Sequence, residues 1–369
     1  HGDITMMYSK GVLLLAGQPW NGHFWREFFS GKFSRRSLIA LSGDSGKMLW
    51  SGNKGYRSRP LIVGDKIIAE PWAHDLRTGQ EQTRNHPITE ATARWQFARP
   101  GHHCGNIAAS PNLLFFRSGT AGYYDLTSDS GTVHFGGQRP GCWINCIPAN
   151  GLVMMPEASS GCVCPNPIQC TTVFIPRPAG GKWTMYSAPG DMTPVKRLAI
   201  NFGAPGDRKD SRGNIWLAHP RPYKGRLVMD PKIDAKLLKG GRYFSRNSDF
   251  LKASGPAETW VYASGASGVT KLSIPLQAKN SKTQRYTVRL HFIEPEGTKP
   301  GKRIFDVSLQ DRQTMKKFDI ASAGGAVVKE FRGVSVSRSL SIEFKPSDLA
   351  EDGTSKHPPV ISGLEIIAE

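Results

Sequence analysis

The chain has 369 residues, of which 38% are hydrophobic and 21% charged, so it carries enough apolar material for packed cores and lacks the composition of a disordered protein. Its 48 Lys and Arg against 30 Asp and Glu give a net charge of +18, with 19 basic and 12 acidic residues in 1–196 and 29 and 18 in 197–369. No zinc-finger spacing, RNP-like motif or lysine tract accompanies this spread charge, which disfavours nucleic acid as a partner. No run of 18 apolar residues occurs, so the sequence predicts no membrane span.

Residues 1–190 consist of short apolar runs separated by turns. The runs are too short for amphipathic helices and predict β-strands; examples are 11–16, 38–41, 60–63, 66–69, 113–116 and 151–155. A turn containing Asp, a hydroxyl residue and Gly recurs at Gly46, Gly79 and Gly131, because glycine adopts positive φ while Asp or Ser caps backbone N–H groups. The chain is therefore predicted to be all-β.

This first half resembles the PQQ-like, quinoprotein-type β-propeller superfamily, in particular repeat proteins of planctomycete-type bacteria. The segments that carry the resemblance are GKMLW at 46–50, DLRTG at 75–79, RPGHHCG at 99–105, RPGCWIN at 139–145 and PEASSGCVC at 156–164. A propeller blade takes about 40 to 50 residues, so residues 1–190 would make about four blades. We therefore expect the C-terminal blades of a larger propeller, completed by a missing N-terminal segment or a partner subunit. The start at His1 rather than Met agrees with this expectation.

The resemblance does not bring a cofactor site with it. The vicinal cysteine pair typical of quinoprotein alcohol dehydrogenases is absent, and no full set of carboxylate, Asn and Arg ligands can be identified. No cofactor is assigned, and PQQ is left as an alternative. If the propeller belongs to an oxidoreductase or a glycan-active enzyme, the candidate residues are His102, His103, Arg139, Asn145 and Glu157.

Five of the six cysteines fall in residues 142–170, and Cys104 precedes them. Their C-x3-C and C-x-C spacings match neither a structural zinc site nor a covalent haem motif. Disulfides in a secreted or periplasmic protein are the favoured interpretation, with fifteen pairings open. The alternative is a metal site at His102, His103 and Cys104, although consecutive side chains of a strand point to opposite faces.

Residues 191–196 read as a linker, and strands of alternating polarity follow in 197–369. The alternating segments are 286–294, 303–309, 340–344 and 361–367, a pattern typical of a β-sandwich. With INFGAPGD at 200–207 and the segments YTVRLHFIEPE, RIFDVSLQ and ISGLEI, this half resembles the malectin domain. The resemblance implies a jelly-roll carbohydrate-binding module.

The resemblance places two sugar-stacking aromatic residues near Tyr243 and Tyr262 and an acid near Asp352. Pro295 and Glu296 stand where an aromatic pair is expected. Carbohydrate is thus the expected ligand, with a fold kept for docking as the alternative.

Together these features predict an exported accessory or scaffold protein in which a partial propeller precedes a malectin-like module. The alternatives are the C-terminal part of a propeller enzyme, and polyanion binding through the basic surface. Polyanion binding would depend strongly on salt, whereas stacking on tyrosine would not.

Overall fold

The computed structural model describes residues 4–17, 25–142, 146–157, 164–166, 170–177, 182–251, 253 and 255–369. The chain forms two compact units: the first contains His1–Arg84, Thr92–Pro189 and Tyr223–Val228, and the second contains Asn85–Ala91, Gly190–Pro222 and Met229–Glu369. Strands dominate, and the two α-helices among the described residues have five and four residues, which confirms the all-β prediction. Within the described ranges, no helix is long and apolar enough to cross a membrane.

The first unit consists of small antiparallel sheets built from consecutive strands. The first sheet contains β1 (Ile4–Ser9), β2 (Val12–Gly17), β3 (Ser37–Ser42) and β4 (Met48–Asn53), with helix α1 (Trp25–Phe29) between β2 and β3. The second contains β5 (Leu61–Val63), β6 (Lys66–Ala69) and β7 (Trp72–Asp75).

The chain continues with three more sheets in the same consecutive order. A pair is formed by β8 (Thr83–Asn85) and β9 (Thr92–Arg94). A four-stranded sheet contains β10 (Ala108–Ala109), β11 (Leu113–Ser118), β12 (Thr120–Asp125) and β13 (Thr132–His134), and a three-stranded sheet contains β14 (Ile147–Ala149), β15 (Leu152–Met155) and β16 (Thr172–Phe174).

Alternation along the strands builds the core of this unit. Val12, Leu14 and Ala16 of β2 are buried while the residues between them are half-buried, as a period of two requires. The described sheets do not show a closed propeller. The four-blade count and the missing segment therefore stay predictions.

The second unit contains two larger sheets. The first has the order β18-β19-β17-β28-β22-β25, and only β17 and β19 pair in parallel. Its strands are β17 (Arg197–Phe202), β18 (Arg208–Lys209), β19 (Ile215–His219), β22 (Gln284–Phe292), β25 (Val327–Val336) and β28 (Gly363–Ala368).

The second sheet has the order β20-β21-β26-β23-β24, with β27 also paired to β21. Its strands are β20 (Asp234–Ser245), β21 (Ser264–Pro275), β23 (Ile304–Leu309), β24 (Arg312–Asp319), β26 (Ser339–Pro346) and β27 (Val360–Ile361). Helix α2 (Thr259–Tyr262) precedes β21, and 3-10 turns cover Ser248–Phe250 and Ala321–Ala323.

Aromatic contacts join the two sheets of this unit face to face. Phe292 of β22 lies 6.0 Å from Phe305 of β23 and 5.1 Å from Phe318 of β24, measured between ring centroids. Phe292 and Phe305 are fully buried. The predicted strand alternation is thus used to fill a core between two sheets, as in a sandwich.

The predicted disulfides are not found among the described cysteines. No disulfide joins any two of Cys104, Cys142, Cys146, Cys164 and Cys170, and Cys162 lies outside the described residues. Cys146 instead packs as a small apolar side chain with Ala121 and Met155.

Candidate functional site

A buried arginine, Arg303, forms hydrogen bonds with two loops of the second unit. The side chain of Arg303 is 1% exposed. Its Nε donates to Glu294 Oε2 at 2.7 Å, its Nη2 to Glu296 Oε2 at 2.9 Å and to Thr298 Oγ1 at 3.3 Å, and its Nη1 to the carbonyl of Pro358 at 2.5 Å. The loop between β22 and β23 is thereby tied to the segment that precedes β27. We call this set of contacts the Arg303 network.

The two carboxylates of the network differ in exposure. Burial alone would raise the pKa of Glu294, but hydrogen bonds from Arg303 and from the backbone of Glu296 hold it below its usual value. Glu296 is 47% exposed, and its Oε1 lies 3.5 Å from Nη2 of Arg242 on β20. Glu294 is therefore a fixed anion, while Glu296 and Arg242 present a carboxylate and a guanidinium to solvent.

The loop between β26 and β27 carries the predicted acid, Asp352. Asp352 is exposed and accepts hydrogen bonds from Thr354 N at 3.0 Å and Thr354 Oγ1 at 2.6 Å. The loop is shaped by Asp348, whose Oδ2 accepts from the backbone N–H groups of Lys356 and His357, each at 3.0 Å. Asp352 thus lies on an ordered loop whose far end is held by the Arg303 network.

The two predicted aromatic residues occupy different environments. Tyr243 of β20 is half-buried and meets His219 edge to face at 5.8 Å between centroids. Tyr262 of α2 is 2% exposed, and its hydroxyl lies 3.4 Å from Nδ1 of His291. Only Tyr243 therefore offers ring surface to a ligand without a rearrangement.

A separate polar cleft of about 350 Å³ also lies in the second unit. Its lining includes Asp210, Arg212 and Glu258. Asp210 is anchored by Asn214 and by the indole N–H of Trp216, which donates to Asp210 Oδ2 at 3.1 Å. We call this feature the Asp210 cleft; it offers acids and a guanidinium, the groups that hydrogen-bond to hydroxylated ligands.

The described enzyme candidates of the first unit lie in different surroundings. His102 contacts sulfur atoms, whereas His103 is buried with Nδ1 2.5 Å from the carbonyl of Gly101, and burial and nearby arginines lower its pKa to about 2. Arg139 is buried and donates to the carbonyl of Pro165 at 3.1 Å, Glu157 is exposed, and Asn145 lies outside the described residues. His103 therefore does not join His102 and Cys104, and the ranges that the structure describes contain no group of three His, Cys, Asp or Glu arranged for a metal ion.

Arg303 and Arg242 were not predicted from the sequence as site residues. Arg303 opens the alternating run 303–309, where an arginine is normally assigned to the exposed face of a strand. The two glutamates seven and nine residues earlier were the available signal, since a buried arginine needs carboxylate partners.

Residues 260–357 match the family model of the Malectin domain. This segment contains Tyr262, Asp352 and every residue of the Arg303 network except Pro358, but not the residues named for the Asp210 cleft. No curated protein matches the chain.

Three solved structures give partial matches. The ANXUR1 extracellular domain from Arabidopsis thaliana is 19% identical, with 46% of this chain and 47% of that chain covered at a TM-score of 0.36. The plant receptor-like kinase FER is 14% identical, with 47% and 42% covered at 0.33. A calcium-binding mutant of Bacteroides uniformis beta-glucuronidase 2 is 10% identical, with 90% and 27% covered at 0.36. The chain thus spans less than half the length of the receptor structures it matches.

Proposed function

We propose that this chain is part of an exported accessory protein whose second unit binds a neutral oligosaccharide. The observation that carries the proposal is the Malectin match over residues 260–357, which coincides with the loops that the Arg303 network ties together. Malectin domains are carbohydrate-binding modules, and the same loops expose Glu296 and Asp352 in this chain.

The chemistry of the exposed groups suits sugar hydroxyls. Glu296 and Asp352 accept hydrogen bonds, and the half-exposed ring of Tyr243 can stack against sugar C–H groups. Because Arg303 fixes both loops, the carboxylates are held in place before a ligand arrives, which lowers the entropy cost of binding. In this proposal Tyr262 supports the site from within the fold and does not stack on the ligand.

The proposal is tested by screening the purified chain on an array of neutral gluco-oligosaccharides at low and high salt. We expect binding that survives high salt and that falls at least about tenfold in Tyr243→Ala and in Asp352→Ala, the loss of about 1.4 kcal/mol. Asp234→Ala is the matched control, since Asp234 is an exposed carboxylate at the end of β20 that is distant from Tyr243.

Three results would contradict this proposal. Loss of binding in Glu258→Gln but not in Asp352→Ala would move the ligand to the Asp210 cleft. Binding that disappears at high salt would favour a polyanion held by the basic surface. Absence of binding to any glycan on the array would favour the alternative in which the fold of the second unit serves for docking and not for binding carbohydrate.

For the first unit we propose a propeller-type scaffold. What supports this is the succession of small antiparallel sheets made of consecutive strands. An experimental structure of the longest natural form of the protein would test it, and sheets that do not close into a ring would contradict it.

A further inference from the structure

Three cysteines, a histidine and a buried arginine converge in the first unit. Arg117 of β11 is 1% exposed, and its Nη1 donates to Cys142 Sγ at 3.2 Å. The same guanidinium forms a hydrogen bond with Cys164. Cys164 Sγ lies 3.9 Å from Nδ1 of His102, whose Nε2 lies 3.0 Å from Cys104 Sγ. We call these five residues the thiol cluster.

The guanidinium decides the chemistry of this cluster. Burial alone would lower the pKa of Arg117, but hydrogen bonds to Cys164 and Cys142 raise it above the usual value. A permanent positive charge among the sulfur atoms repels a metal cation. In addition, His102 turns different nitrogen atoms toward Cys104 and Cys164, so a single imidazole nitrogen does not share an ion with both. A positive charge beside sulfur instead favours the thiolate, which is the nucleophile in thiol–disulfide exchange.

We propose that the thiol cluster is a thiol–disulfide exchange site in which Cys142 and Cys164 react with a small-molecule disulfide. These two sulfurs share one hydrogen-bonding guanidinium and are partly accessible, whereas Cys104 is only 4% exposed. Cys164 is the attacking residue because it contacts both Arg117 and His102.

The reaction has two steps. The Cys164 thiolate attacks one sulfur of the small disulfide, so that a mixed disulfide forms and one small thiolate leaves. The Cys142 thiolate then attacks Cys164 Sγ, a Cys142–Cys164 bond forms, and the second small thiolate leaves. The two protein thiols lose two electrons to the small disulfide, and their protons end on the two small thiols released.

Cys146 provides an internal contrast. Burial raises the pKa of Cys146 to about 12, so its thiol stays protonated at neutral pH. We expect Cys146 to be inert under conditions in which Cys164 reacts.

The test treats the fully reduced chain with glutathione disulfide and follows the intact mass and the cross-linked peptides. We expect a loss of about 2 mass units and a Cys142–Cys164 peptide. In Cys142→Ser the glutathione adduct should persist on Cys164, because the second step is blocked. Cys170→Ser, which changes an exposed cysteine, should react like the unaltered chain.

Arg117 is tested by charge. Arg117→Gln should slow the first step several-fold, because the positively charged hydrogen-bond donor beside Cys164 is lost, and Arg117→Lys should retain most of the rate. Circular dichroism verifies that each variant is folded. If Arg117→Gln does not fold, the adduct trapped in Cys142→Ser still decides the proposal.

The proposal is overturned if the reduced chain leaves glutathione disulfide unchanged, or if the cross-link runs through Cys104, Cys146 or Cys162. It is also overturned if folded Arg117→Gln reacts at the rate of the unaltered chain.

Discussion

Glu70 is a buried anion of the first unit that binds two buried arginines. It is fully buried and accepts from Arg99 Nε and Nη2, each at 2.6 Å, from Arg57 Nη2 at 3.0 Å and from Ser58 Oγ at 2.5 Å. Arg57 and Arg99 are themselves 1% and 0% exposed. Burial alone would raise the pKa of Glu70, but the two arginines hold it well below its usual range, so the carboxylate is charged throughout the neutral range.

Glu70→Gln removes this charge with almost no change of shape. Both guanidinium groups then stay buried without a counter-charge. The NH2 group of the new glutamine side chain also places its N–H donors against the N–H donors of the arginines. Removing one partner of a buried ion pair costs about 3 to 5 kcal/mol, and we place this variant at the upper end because two arginines depend on one carboxylate.

The assay is urea denaturation of the full chain, with the change in unfolding free energy taken from the midpoint and slope. Glu81→Gln is the matched control, because Glu81 pairs with Arg94 at 2.5 Å while the two side chains are 43% and 37% exposed. Exposed pairs contribute about 0 to 1 kcal/mol. If Glu70→Gln costs no more than Glu81→Gln, the buried carboxylate does not hold this unit together.

Three further predictions concern pH, backbone and the Arg303 network. Burial, with Lys54 and Arg94 as smaller causes, lowers the pKa of His74 to about 4. Between pH 6.5 and 4, His74 is therefore protonated in the unfolded chain but neutral in the folded chain. Stability should therefore fall by up to about 1.4 kcal/mol per pH unit between pH 6.5 and 4, and denaturation of His74→Phe at several pH values should show a shallower slope. Gly203 has φ +69°, and a Cβ there would lie 2.7 Å from a backbone oxygen, so Gly203→Ala should destabilise well beyond the roughly 1 to 2 kcal/mol expected for Gly240→Ala, which has φ +82° and open space around it. Arg303→Met should lower the unfolding free energy by about 3 kcal/mol in the same denaturation assay, and unchanged stability would show that the two loops do not need this arginine.

Period-two alternation was sufficient to find four strands of the second unit. The segments 286–294, 303–309, 340–344 and 361–367 became β22, β23, β26 and β28, with shifts of a few residues at their ends. Alternating apolar and polar residues indicate that one face of the segment is buried and the other exposed. Few structures other than a half-buried strand are compatible with that alternation. The local sequence contains no comparable pattern that indicates which strands, distant along the chain, pair with each other.

The candidate site shows where that local information ends. Tyr262 was predicted to stack on a sugar, but α2 directs its ring toward His291 and leaves it 2% exposed. Arg303 directly precedes β23, yet its partners are Pro358, 55 residues away, and Glu294 at the other end of its own loop. The types of residue in the sequence indicated a polar site. The packing of the two sheets determines which of these residues face one another.

The segment 99–105 joins the two polar centres of the first unit. Arg99 binds Glu70 on one side, while His102 contacts the sulfur atoms of the thiol cluster on the other. His103, next to His102, faces the charges around Glu70, and Arg57 and Arg99 contribute to its lowered pKa. Since the carbonyl of His102 also accepts from the backbone of Gly119 at 2.6 Å, two residues beyond Arg117, the position of His102 depends on both centres. If Glu70→Gln leaves the chain folded, its rate of reaction with glutathione disulfide should therefore change as well, and an unchanged rate would show that the two centres are independent.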